Sequence, residues 1–184
     1  MRDLEIVTTA PILETERLRL RPLRPDDLDD YAALYADPET LRYLASGEQP
    51  WDRGRSWRHL AFALGHWQVA GSGTWAVERR EGGEFAGVVG FWEPEGWPGF
   101  ELAWILARRW WGLGYATEGA RAALECAFFR WRRDQIISLI SPENQRSIRV
   151  AERLGQVRQG SVRHHGRDML RYAVDRERYG GARG

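Results

Sequence analysis

Residues Arg109 to Glu118 read Arg-Trp-Trp-Gly-Leu-Gly-Tyr-Ala-Thr-Glu, and this stretch decides the fold. It joins an apolar, strand-like run, Phe100 to Leu106, to a segment in which Ala116, Ala120, Ala123, Leu124, Ala127, Phe128 and Trp131 mark one face of a long helix. A helix start leaves backbone N–H groups without intrahelical acceptors and carries the positive end of the dipole, so an anion is stabilised there. Two glycines with one residue between them let a phosphate come close to the backbone. The N–H groups around Gly112, Leu113, Gly114, Tyr115, Ala116 and Thr117 therefore form a candidate phosphate site, and a pyrophosphate is the expected ligand.

Two common phosphate loops are excluded. A P-loop needs a lysine after its last glycine, and all 27 Lys+Arg residues here are arginine. A dinucleotide fingerprint needs Gly-x-Gly-x-x-Gly, but Thr117 stands at the third glycine place and Gly119 comes two positions late. An ordinary strand-to-helix turn is the remaining structural alternative for the motif by itself.

The rest of the chain bounds the answer. At 184 residues it is long enough for one well-buried core and too short for two ordinary domains. With 43% hydrophobic and 29% charged residues it is expected to be globular, and a net charge of +1 supports neither a nucleic-acid nor a membrane partner. The single cysteine, Cys126, cannot form an internal disulfide and falls on an apolar helix face. No signal-like or membrane-spanning run is present, so a cytoplasmic location is expected. His164-His165 has no Cys/His partners at ligand spacing, and no metal is expected.

Element patterns run in a telling order. Residues 1–13 read as a loose leader and 14–180 as one domain. Arg17 to Arg21 alternates as a strand, Pro25 opens a helix, Asp37-Pro38 starts a second one expected to reach Leu44, and Trp57 to Trp67 marks a third. Trp75 to Glu78 and Phe85 to Trp92 flank Glu81-Gly82-Gly83 as a hairpin. After the loop Glu93 to Gly99 come the strand Phe100 to Leu106, the long helix, a strand Gln135 to Ile140, a helix Asn144 to Leu154 and two late strands between Val157 and Val174. This is an α+β arrangement with a mixed central sheet of six to seven strands flanked by helices, not a strand–helix alternation of Rossmann type.

The motifs resemble the GNAT (Gcn5-related N-acetyltransferase) family, and in particular its RimJ/RimL-type branch, from about Leu18 to Tyr179. Glu14-Thr15-Glu16-Arg17-Leu18-Arg19-Leu20 is similar to the branch's Thr-Glu-Arg-Leu opening, and Glu101-Leu102-Ala103-Trp104-Ile105-Leu106 to its Glu-Ile-Gly-Tyr strand. Trp111 to Glu118 matches its phosphate loop, and Asn144-Gln145-Arg146-Ser147 to Leu154-Gly155 its Asn-x-x-Ser helix. Ala103, Trp104 and Gln156 depart from the pattern; the first two bear on the acceptor cleft and the last on packing.

The resemblance implies direct transfer of an acetyl group from acetyl-CoA to a primary amine, a protein α-amine or a small-molecule amine, with no acyl-enzyme. The partners expected are acetyl-CoA and an amine acceptor, with no metal, and a monomer or homodimer. A sensor or interaction module that binds acetyl-CoA without catalysis is the rival reading. Ile105 and Leu106 are expected beside the pantetheine arm, with Arg109 either near phosphate or solvated at the strand end. Glu101 is the candidate general base, or else binds the cationic acceptor. Asn144 is expected to cap its helix and to contact the cofactor arm. Ser147, about one turn on, is the candidate proton donor to the leaving sulfur, or simply a first-turn serine.

Overall fold

The computed structural model describes residues 10–44 and 49–181. Its strands are β1 (Leu13–Glu14), β2 (Leu18–Pro22), β3 (Thr74–Arg79), β4 (Phe85–Trp92), β5 (Glu101–Leu106), β6 (Gln135–Ile140), β7 (Val157–His164) and β8 (Arg167–Asp175). They form one sheet in the order β1-β2-β3-β4-β5-β6-β8-β7. All neighbours are antiparallel except β5 and β6. The helices are α1 (Leu28–Ala36), α2 (Pro38–Leu41), α3 (Arg53–Ala70), α4 (Tyr115–Glu125), α5 (Gln145–Arg153) and α6 (Arg176–Gly181). Among the described residues no helix is long and apolar enough to cross a membrane.

Period-two alternation along β5 sorts the core into layers. Leu102 and Leu106 pack with Ala120, Ala123 and Leu124 of α4, whereas Ile105 packs with Tyr31, Tyr35 and Leu60 of α1 and α3. β4 is buried along almost its whole length, as its apolar sequence requires of a central strand covered on both faces. Burying a leucine such as Leu124 stabilises the fold by about 2 kcal/mol. Arg21 ties β2 to the start of α1: its guanidinium donates to both Asp27 carboxylate oxygens, at 2.9 and 2.7 Å, and to Glu78 at 2.7 Å.

The structure corrects four expectations. The sheet has eight strands rather than six to seven, because Leu13 and Glu14 pair with Leu20 and Arg19. Although no sequence signal marks it, part of the expected leader is packed: Ala10 is buried and the Pro11 carbonyl accepts from the Trp75 indole at 2.7 Å. Residues 1–9 of that leader lie outside the described residues. α2 stops at Leu41, since a single turn capped by Asp37 brings the chain round before Leu44. The long helix leaves α geometry after Glu125 and finishes as a π turn over Cys126–Arg130, where the Trp131 N–H donates to the Cys126 carbonyl at 3.1 Å. The wider turn returns Trp131 to the sheet, stacked on Trp75 with centroids 5.8 Å apart.

Candidate active site

The site begins where two parallel strands part. β5 and β6 are in register only at Glu101 and Ile137, with the Ile137 N–H donating to the Phe100 carbonyl at 3.0 Å. Beyond this the Leu102 carbonyl accepts from the Ser138 hydroxyl at 2.7 Å, and Ser138 accepts in turn from the buried Gln156 amide at 3.1 Å. Side chains thus take over the ladder as the strands diverge. Counting in steps of two from the Leu102 carbonyl, the backbone polar groups of Trp104 and Leu106 face the gap, where the Leu106 carbonyl accepts from the Trp111 indole at 2.7 Å, while those of Ile105 face β4. Of the two residues expected to line a bound arm, Leu106 faces the gap and Ile105 does not; Trp104 takes its place. An extended ligand there would fit as an added strand.

At the far end of the gap lies the glycine loop. Arg108–Trp110 makes one 3-10 turn, and Gly112 and Gly114 adopt φ of 81° and 85°, which only glycine enters at no steric cost. Gly114 is the N-cap of α4, and the first helical bond runs from the Glu118 N–H to the Gly114 carbonyl at 3.0 Å. The N–H groups of Tyr115, Ala116 and Thr117 are therefore those left over at the helix start. A Cβ on Gly112 would meet nothing within 4 Å, so open space lies over that glycine, whereas one on Gly114 would come within 3.3 Å of Arg17 Nη2. Leu113 is exposed and Tyr115 is buried, its hydroxyl accepting from Arg79 at 3.3 Å. This cradle suits a diphosphate.

Arg17, rather than Arg109, holds a backbone carbonyl of this loop. Arg17 donates from Nη1 to the Leu113 carbonyl at 2.9 Å and from Nε to Glu118 at 2.7 Å, and its backbone N–H donates to Glu118 at 2.9 Å. The Thr15 hydroxyl adds a 2.6 Å bond to the same carboxylate. Against burial, which would raise it, these bonds hold the Glu118 carboxyl below the usual carboxylate range. Arg109 turns instead to the Phe85 carbonyl, at 3.4 Å, and the face of Trp110.

Glu101 sits at the fork of the strands, 8% exposed. Its Oε1 accepts from the Leu139 backbone N–H at 3.3 Å and its Oε2 from the Trp97 indole at 2.6 Å. Burial pushes its carboxyl up to about 7, opposed by these two hydrogen bonds. A carboxyl poised there exchanges a proton readily near neutral pH. Trp97, in a loop without periodic pattern, packs edge-on against His164 at the end of β7 and His165 in the turn that follows, with centroids 4.3 and 5.7 Å away.

On the other side of the gap, Asn144 caps α5 through Oδ1, which accepts from the Ser147 N–H at 3.1 Å. Its amide hydrogens stay available for a ligand. The Ser147 hydroxyl oxygen accepts from the Trp104 indole at 3.3 Å, so its own hydrogen is directed elsewhere. Trp104 thereby links the gap to α5. The fold thus gathers Glu101, Leu106, the glycine loop, Asn144 and Ser147 around one cleft and turns Ile105 and Arg109 away. Arg17, Trp97 and Trp104 join them; Arg17 carried a signal in its place in the Thr-Glu-Arg-Leu opening and Trp104 as a departure from the Glu-Ile-Gly-Tyr strand, whereas Trp97 carried none.

Residues 17–157 match the model of the acetyltransferase (GNAT) domain. The chain is 32% identical to the uncharacterized protein YkkB of Bacillus subtilis, over 87% of this chain and 93% of that one. It is 26% identical to the uncharacterized N-acetyltransferase p20 of Bacillus licheniformis, over 83% and 86% of the two chains. The crystal structure of an acetyltransferase from Agrobacterium tumefaciens superposes with a TM-score of 0.81 at 33% identity, covering 90% of this chain and 95% of that one.

Proposed function

We propose that this chain, which belongs to the GNAT acetyltransferase family, transfers an acetyl group from acetyl-CoA to a primary amine, in the manner of the RimJ/RimL-type branch. The observation that carries this reading is Glu101, a buried carboxylate at the fork of β5 and β6 with a carboxyl held at about 7. An alkyl ammonium has a pKa near ~10 and an α-amino group near ~8, so the acceptor must lose a proton before it can act as a nucleophile. Glu101 takes that proton, directly or through one water.

Acetyl-CoA, when bound, supplies the acetyl group as an activated thioester. The chain's own groups do the rest. The N–H groups of Tyr115, Ala116 and Thr117 hold the diphosphate, and the Trp104 and Leu106 backbones hold the arm. The Asn144 amide donates to the arm while its oxygen caps α5, and the Ser147 hydroxyl gives a proton to the departing sulfur.

The test is an amine screen that reads released CoA thiol, with Glu101→Gln beside the native chain. Turnover of Glu101→Gln should fall about 100-fold at pH 7 with acetyl-CoA affinity retained, and the deficit should shrink as pH rises and free amine accumulates. Native activity should climb with pH through about 7 as Glu101 ionises. A deficit that is constant across pH would make Glu101 an acceptor-binding group. Absence of thiol release with every amine, despite tight acetyl-CoA binding, would mark a binding module instead.

A further inference from the structure

The reading of Glu101 as base leaves open what fixes its carboxylate. We propose that Trp97 is a positioning residue for Glu101, its indole N–H holding Oε2 at 2.6 Å and thereby setting where the other lone pairs point. The inference rests on the function proposed above. Among the described residues two donors hold this buried carboxylate, and the second, the Leu139 backbone N–H, is the longer at 3.3 Å. Indole is a donor only, so Trp97 favours the ionised form and can never take the proton itself.

Trp97 is in turn held from several sides. Its backbone N–H closes a turn onto the Pro94 carbonyl at 3.0 Å. The loop is moored at its start, where the Glu93 N–H donates to His66 Nε2 at 3.3 Å; the His66 Nδ1, 2.7 Å from the Ser72 carbonyl, is then the protonated nitrogen. The His164 ring stands edge-on to Trp97 at 4.3 Å and packs on His165 at 4.2 Å. The titratable groups facing Trp97 are thus His164 and His165. Burial and the neighbouring His165 both lower the His164 pKa, which favours its neutral form. On the loop itself Glu93 is paired with Arg133 at 3.2 Å and Glu95 is exposed. From β6 only the Leu139 N–H, with no charge, reaches Glu101.

Trp97→Phe keeps an aromatic ring, though a smaller one, and deletes the N–H. Carboxyl-labelled glutamate followed by NMR should show Glu101 titrating above the native value of about 7, because a bond to the charged form is lost. Turnover at pH 7 should drop about tenfold, the lower limb of the pH profile should move up with the titration, and KM for acetyl-CoA should not change. In a Glu101→Gln background Trp97→Phe should cost nothing more, since the group it positions is gone. Should Trp97→Phe not fold, His164→Ala loosens the same indole and should shift the titration in the same direction by less. A titration and pH profile like the native ones in the folded variant, or a full additional loss in the Glu101→Gln background, would overturn the inference. The two readings fail separately. Full activity in Glu101→Gln removes the base but leaves the NMR shift to report on Trp97, whereas an impaired Glu101→Gln with an unmoved titration in Trp97→Phe removes Trp97 alone.

Discussion

Asn144 shows how one side chain can serve both stability and ligand. Its Oδ1 is committed to the Ser147 N–H, and its Nδ2 is not. Asn144→Asp should keep the cap, holding the unfolding free energy within about 0.5 kcal/mol, because both residues cap well. The carboxylate, however, only accepts, and it adds charge beside the arm, so KM for acetyl-CoA should rise about tenfold or more. Thermal denaturation and steady-state kinetics on the same sample check the split; equal kinetics would reduce Asn144 to a cap. Ser147 is a subtler case, since its oxygen is already occupied by the Trp104 indole. Ser147→Ala should slow single-turnover acetyl transfer by only about tenfold, because a thiol with a pKa of roughly 8.5 is a fair leaving group unaided. A native single-turnover rate would leave the serine as part of the helix.

Between elements, the decisive contact joins the β1–β2 turn to α4. Glu118 collects the Thr15 hydroxyl, the Arg17 N–H and the Arg17 guanidinium, while the same guanidinium holds the Leu113 carbonyl. The loop is therefore fixed from outside, before any anion arrives, which is how a site avoids an ordering cost on binding. Arg17→Ala should weaken acetyl-CoA binding about tenfold, roughly 1.4 kcal/mol, with a smaller effect on acceptor KM. Calorimetry on the folded variant measures it, and native affinity would mean that the glycines set the loop unaided. Both partners were legible in the sequence, each as a separate motif. Their union was not, because Arg17 and Glu118 are 101 residues apart and periodicity reports only local neighbours. The same blindness hid Trp97, whose loop has no pattern.

Across the whole molecule, the order of strands and helices was readable from apolar spacing, because each element carries one covered face. The eighth strand was not, since two residues beside an edge have no period to detect. Nor does the sequence show that β5 and β6 part, an event visible only in their single paired position. That opening exposes a reactive cleft and buries Glu101 at its fork, and the fold bears the cost. In the unfolded chain Glu101 titrates near the ordinary value of about 4.3; in the fold it titrates at about 7. Between these pH values the folded state binds the extra proton, so this group's contribution to stability is full below about 4.3 and is lost as pH rises through about 7. The full difference amounts to about 4 kcal/mol, an upper bound for a single buried carboxyl. Glu101→Gln has no proton to lose. Its unfolding free energy in urea, measured against the native chain, should therefore gain by up to about 3 kcal/mol between pH 4.5 and pH 8, whatever the offset at the lower pH. Parallel stability curves for the two chains would show that Glu101 ionises in the fold as easily as in water, and would take away the poised carboxylate on which the proposed reaction depends.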